Sequence, residues 1–140
     1  METKGYKGKR VRDGSQEDLE GIKAALRGFY AGLSEHDLKT FEANTAPGYH
    51  LLEHGEYWSL EYSKEMIGDT KPQGYARRNR FDFKLIEVYG ETAFGVWDLH
   101  AEVAREGSVT SRYWLESGSF KKIEGVWKVH ILHSTRGESN

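Results

Sequence analysis

Three polar side chains fall where the pattern of this chain calls for apolar ones. In the segment near 126–134, Trp127, Val129, Ile131 and His133 alternate with Lys128, His130, Leu132 and Ser134. In the segment near 109–121, Tyr113, Leu115, Ser117 and Ser119 alternate with Arg112, Trp114, Glu116 and Gly118. Successive strand residues point to opposite faces, so His133, Ser117 and Ser119 share a side with large apolar groups. A buried polar group costs about 1–3 kcal/mol unless it is bonded. Imidazole titrates near neutral pH, which gives His133 a use in proton transfer. Glu53 shares a strand face with Tyr49 and Leu51. A carboxyl among apolar groups has its pKa raised and becomes a general acid or base near neutrality. The plainer alternatives are a core histidine satisfied by nearby hydroxyls, and a Glu53 that ends its strand in solvent.

Other chemistries lack their residues. Cysteine is absent, so disulfides, thiolate catalysis and thiolate zinc sites are excluded. His50 and His54 lie at i and i+4 of a strand, roughly 13 Å apart at 3.3 Å per residue, too far to share one ion. No metal site and no cofactor is expected. No Gly-x-Ser-x-Gly motif occurs and no Ser-x-x-Lys opens a helix, and the glycines sit in hairpin turns rather than before a helix, so no phosphate loop is expected. Arg77, Arg78 and Arg80 cluster in YARRNR. Such a cluster is either a solvated loop or a greeting for an anion at a cavity mouth.

The elements that must position these groups follow from periodicity. Ser15 with Asp18 three residues on starts a helix, whose face is Leu19, Ile22, Leu26, Phe29, Tyr30 and Leu33. A shorter helix runs over 37–44, ended by Pro47-Gly48, and a third over 60–67. Residues 49–53 and 56–59 read as strands around a His54-Gly55 turn. From Arg80 the period becomes two, giving strands near 80–89, 92–104, 109–121 and 126–134 joined by short Gly-containing turns. Helices first and then a meander argue an α+β domain, a curved antiparallel sheet with N-terminal helices on one face. One domain spans 15–136, after a flexible basic arm (1–14) and before a tail (137–140).

In the strand near 92–104, Ala93, Gly95, Trp97, Leu99, Ala101 and Val103 join the covered face. Phe94, Val96, Trp114, Phe120 and Leu132 then lie on the outer face beside Asp98, His100 and Arg112. Aromatic groups on a sheet surface mark an interface, so a homodimer through that face is expected. Net charge is −2, which offers no field for nucleic acid or an anionic membrane. No run approaches 18 apolar residues, so membrane spanning is not expected and the expected compartment is the cytoplasm.

The succession of a long helix, EHDLKTFEANTAP, a strand, EHGE, a short helix, a long meander and a terminal GVWKVHILHST resembles the nuclear transport factor 2-like superfamily. That group includes ketosteroid isomerase, SnoaL-like cyclases, scytalone dehydratase, limonene epoxide hydrolase and a kinase association domain. The likeness spans roughly 15–136 and implies a cone-shaped fold with a cavity between the long helix and the bent sheet. It also implies that Glu53 lies at the general-base position of the isomerase. The isomerase's helix Tyr falls at Phe29, with Tyr30 one residue off, and its protonated Asp falls at Ser117. Those two mismatches argue against steroid isomerisation.

The resulting expectation is a small-molecule-binding domain with a small apolar organic ligand. As an enzyme it would be an isomerase, cyclase, dehydratase or hydrolase, with Glu53 and His133 as the proton-transfer pair. Phe29, Tyr30, Trp58, Trp97 and Tyr113 would line the cavity and Ser117 would donate a hydrogen bond. The rival is a non-catalytic dimerisation, association or ligand-sensing module that uses the outer sheet face.

Overall fold

The computed structural model describes residues 10–12 and 14–138. Helix α1 (Gln16–Glu35) starts where Ser15 accepts a hydrogen bond from the Asp18 backbone N–H at 3.0 Å. It stops at His36, in the left-handed region at φ 56°. Ile22, Ala25, Leu26, Phe29 and Tyr30 form its buried stripe. Helix α2 (Leu38–Ala43) is capped by Asp37 and buries Phe41.

Gly32 is what lets α2 press against α1. A Cβ there would lie 2.4 Å from the Phe41 backbone nitrogen. Alanine would gain about 1 kcal/mol of helix propensity, but overpacking against backbone costs about 1–3 kcal/mol or more. The clash should win: Gly32→Ala is expected to lose about 2 kcal/mol in urea unfolding. A variant as stable as the parent would show that α2 withdraws freely.

The remaining elements are β1 (Arg10–Arg12), β2 (Thr45–Glu53), β3 (Glu56–Ser59), α3 (Leu60–Ile67), β4 (Tyr75–Tyr89), β5 (Thr92–Arg105), β6 (Ser108–Ile123) and β7 (Val126–Gly137). They form one seven-stranded sheet in the order β1-β4-β5-β6-β7-β2-β3. The β4–β7 meander is antiparallel, as expected, but the sheet is mixed: β2 pairs parallel with β7 and β1 parallel with β4. Within the arm assigned to 1–14, residues 10–12 lie in the sheet beside Leu85–Glu87. Residues 1–9 and 13 fall outside the described residues, as do 139–140 of the tail.

Two bulges decide which side chains face the helices. Phe83 pairs with Trp97 but Leu85 with Val96, so Lys84 is an extra residue in β4. Ser119 pairs with Ile131 but Phe120 with Val129, so His130 is an extra residue in β7. An extra residue bends a strand and flips every later side chain to the other face. Trp127 and Val129 therefore face the core, and beyond the bulge Leu132 and Ser134 do. His133 is turned out, exposed, which corrects the inward placement expected for it.

The phase of β6 is also opposite to expectation. Glu116 stands directly across from Trp97, so Trp114, Glu116 and Phe120 are on the covered face. Phe120 and Leu132 are core residues, not outer-face ones. Tyr113 and Ser117 lie on the outer face, where the Tyr113 hydroxyl donates to Asp98 and Ser117 is exposed. Alternation was read from apolarity, and Tyr113-x-Leu115 is the more apolar register of that strand. A buried carboxylate makes the true inner register look polar.

The core runs from Ile22, Leu26 and Phe29 on α1 to Phe83, Ile86, Trp97, Leu99, Phe120, Trp127 and Val129 on the sheet. Trp97 lies over the cross-strand glycine pair Gly95 and Gly118. A Cβ on Gly118 would meet the Trp97 ring at 3.0 Å and the Ile131 carbonyl at 2.8 Å.

Candidate functional site

Between α1, α2, α3 and the inner face of the sheet lies a cavity of about 110 Å³. Its walls are apolar: Phe29, Leu33, Phe41, Leu51, Ile67 and Leu132 among them. An apolar cavity of about 150 Å³ accepts benzene, so this one suits a molecule of that order. Trp97 and Trp127 pack in the core beside it without filling it.

Its floor is a buried polar cluster centred on Glu116, which is 2 % exposed. The Tyr30 hydroxyl on α1 donates to both carboxylate oxygens, at 2.6 and 2.8 Å. Trp97 Nε1 donates to Oε1 at 2.9 Å and Ser134 Oγ donates to Oε2 at 2.7 Å. Burial raises the Glu116 pKa above the ordinary carboxylate value, and these three hydrogen bonds oppose it without cancelling it. Burial likewise pushes the Tyr30 phenol well above its usual value, with the Glu116 charge adding to the shift. Tyr30 therefore holds its proton more tightly than a free phenol and serves as a hydrogen-bond donor here.

Glu53 lines the same cavity nearer solvent, paired across the parallel ladder with Ser134. It is half-buried, and that burial raises its pKa, against the pull of His54, Arg77 and Arg136. His54 Nε2 stands 3.8 Å from Glu53 Oε1. Arg77 reaches over the Tyr30 ring at 5.5 Å and the Trp114 ring at 5.1 Å. Its Nε donates to Asn79, whose amide donates to Ser34 on α1.

Ser63 of α3 also lines the cavity and is 2 % exposed. Its Oγ has no hydrogen-bond partner among the described residues. The Tyr49 hydroxyl of β2 lies beside it, outside the geometry of a formed hydrogen bond; burial raises the Tyr49 pKa and the nearby Ser63 hydroxyl partly opposes that rise. An unmet buried hydroxyl costs about 1–3 kcal/mol.

Of the residues singled out in the sequence, Phe29, Tyr30, Glu53 and Trp58 line one cavity. Trp97 reaches it only through its N–H, bonded to Glu116. Tyr113, Ser117 and His133 are on the far side of the sheet, so no Glu53–His133 pair forms. Glu116, Ser134, Trp114 and Ser63 were not singled out, and Arg77 lies on a strand at the cavity, not in a solvated loop. One signal was present. The ungapped likeness to the isomerase missed a Tyr by one residue at Phe29 and a carboxyl by one at Ser117. The two neighbours it passed over, Tyr30 and Glu116, are hydrogen-bonded to each other.

No protein-family model matches the sequence, and no curated protein matches it significantly. Solved structures do. The CamKII hub homology domain of Chlamydamonas reinhardtii superposes with a TM-score of 0.75 at 12 % identity, over 86 % of this chain and 99 % of that one. An NTF2-like protein of Cytophaga hutchinsonii gives 0.70 at 15 % identity, over 89 % and 100 %. A ketosteroid isomerase-like protein of Erwinia carotovora atroseptica gives 0.69 at 15 % identity, over 89 % and 100 %. Helices packed on a bent mixed sheet, matched along nearly the whole length of these neighbours, show that this chain has the nuclear transport factor 2-like fold.

Proposed function

We propose that this cavity binds a small neutral carbonyl compound and that the protein moves a proton at the carbon next to the carbonyl. The observation that carries this reading is a pair of carboxyls of unequal burial in one apolar cavity, the deeper one bonded to a tyrosine. Groups whose surroundings separate their proton affinities divide into acid and base. Glu116, almost fully buried, keeps its proton and passes a hydrogen bond through Tyr30. Glu53, nearer solvent, is the base. Glu53 takes the C–H proton, the C–H electron pair becomes the enol double bond, and the carbonyl oxygen takes a proton from the Tyr30–Glu116 pair. Returning the proton at another carbon gives an isomerase. Losing a hydroxide from the β-carbon, with a proton supplied to it, gives a dehydratase.

The test is deuterium incorporation at the α-carbon of cyclohexanone in D₂O, followed by proton NMR. Exchange above the buffer rate is expected, rising with pH as Glu53 ionises. Burial raises the Glu53 pKa, so the acid limb should lie above the ordinary 4.5. Exchange no faster than buffer across cyclohexanone and its ring homologues would overturn the reading.

The outer face supports assembly as a companion property. Phe94 is 47 % exposed, and Val96, Leu115 and Ile131 share its side of the sheet. The likeness to a hub homology domain supports assembly as a use of such a face. The chain is proposed to form a homodimer there. Phe94→Glu should convert a dimer to a monomer in light scattering, and a monomeric parent at micromolar concentration would refute it.

A further inference from the structure

The cavity has two sets of polar groups on its wall, and only one of them is satisfied. At the floor, Glu116 already receives Tyr30, Trp97 and Ser134. Ser63, the fourth residue of α3, lines the same cavity, buried and without a formed hydrogen bond. Serine inside a helix ordinarily returns its hydroxyl to the carbonyl four residues back or points it to solvent. Ser63 does neither. Alanine would suit both the helix and the apolar wall better, so packing leaves the hydroxyl unexplained. The hydroxyl of Tyr49 stands beside it.

We infer that Ser63 and Tyr49 form a hydroxyl-binding subsite, and that the ligand is a small hydroxyketone with its carbonyl toward Tyr30 and its hydroxyl toward Ser63. This rests on the proposed function, which supplies the carbonyl end. Ser63 and Tyr49 can each donate to and accept from a ligand hydroxyl, so a neutral O–H fits the subsite, whereas an ammonium or carboxylate would carry the cost of burying a charge against an apolar wall. Cavity size limits the carbon frame to about a six-membered ring.

The experiment compares cyclohexanone with 2-, 3- and 4-hydroxycyclohexanone by NMR titration of the full chain. At least one hydroxyketone is expected to bind the parent about tenfold tighter than cyclohexanone. Ser63→Ala should erase that tenfold by bringing the hydroxyketone to the affinity of cyclohexanone, and a cooperative thermal melt reports that the variant is folded. Tyr49→Phe should weaken the preference in the same direction. No preference in the parent, or a preference that survives Ser63→Ala, overturns the subsite while the proton-transfer reading stands on cyclohexanone binding and exchange. If none of the four ketones binds, both fall.

Discussion

Glu53→Gln should lower the α-proton exchange rate by about 10³-fold, within the range of about 10²–10⁴ that a positioned base contributes. Glutamine keeps the volume and the hydrogen-bonding reach of the side chain but cannot accept a proton from carbon. The fold should not suffer, because among the described residues the Glu53 carboxylate is held by an ion pair to a well-exposed His54 at 3.8 Å. Removing a charge that burial disfavours should leave the thermal midpoint unchanged or slightly higher. The measurement is a pair: exchange rate and thermal melt on the same sample. Unchanged exchange would take the base role from Glu53, with Glu116 the remaining carboxyl in the cavity.

Glu116→Ala should be strongly destabilising, with a loss of about 3 kcal/mol in urea unfolding. It strands the Tyr30, Trp97 and Ser134 donors together, at about 1–3 kcal/mol each. Water entering through the adjoining cavity recovers part of that, and removing a buried carboxyl recovers more. Glu116→Gln separates the shape from the charge. The folded protein holds the Glu116 proton more tightly than the unfolded chain does, because its pKa is raised. Its contribution to stability is therefore full below the ordinary value of 4.5 and is lost as pH rises through the folded value. The stability of the parent relative to Glu116→Gln should fall with rising pH, by at most about 1.4 kcal/mol per unit. A pH-independent difference would mean Glu116 is ionised in the fold at no cost.

The helices, the meander and the fold were legible because their signals are local and redundant. Ser15 and Asp18 announce α1, Gly-containing turns separate the strands, and the apolar stripe of α1 repeats six times. Glu53 was legible because the three residues Tyr49, Leu51 and Glu53 keep one face to the end of β2. Its use as a base remains a proposal. Glu116 was not legible, since its neutral-looking surroundings come from Tyr30 and Trp97, 86 and 19 residues away in sequence. His133 failed for a different reason. The assignment counted faces through His130, and one extra residue makes any later count wrong.

That extra residue also says how this interior can be rewritten. Upstream of His130 the inward parity is odd (Trp127, Val129), and downstream it is even (Leu132, Ser134). The segment Ile131–Thr135 thus carries two alternative linings, one aliphatic with a hydroxyl, the other built on an imidazole. Lineages sharing this scaffold can trade one lining for the other by gaining or losing a single codon at the kink, leaving every amino acid beyond it untouched.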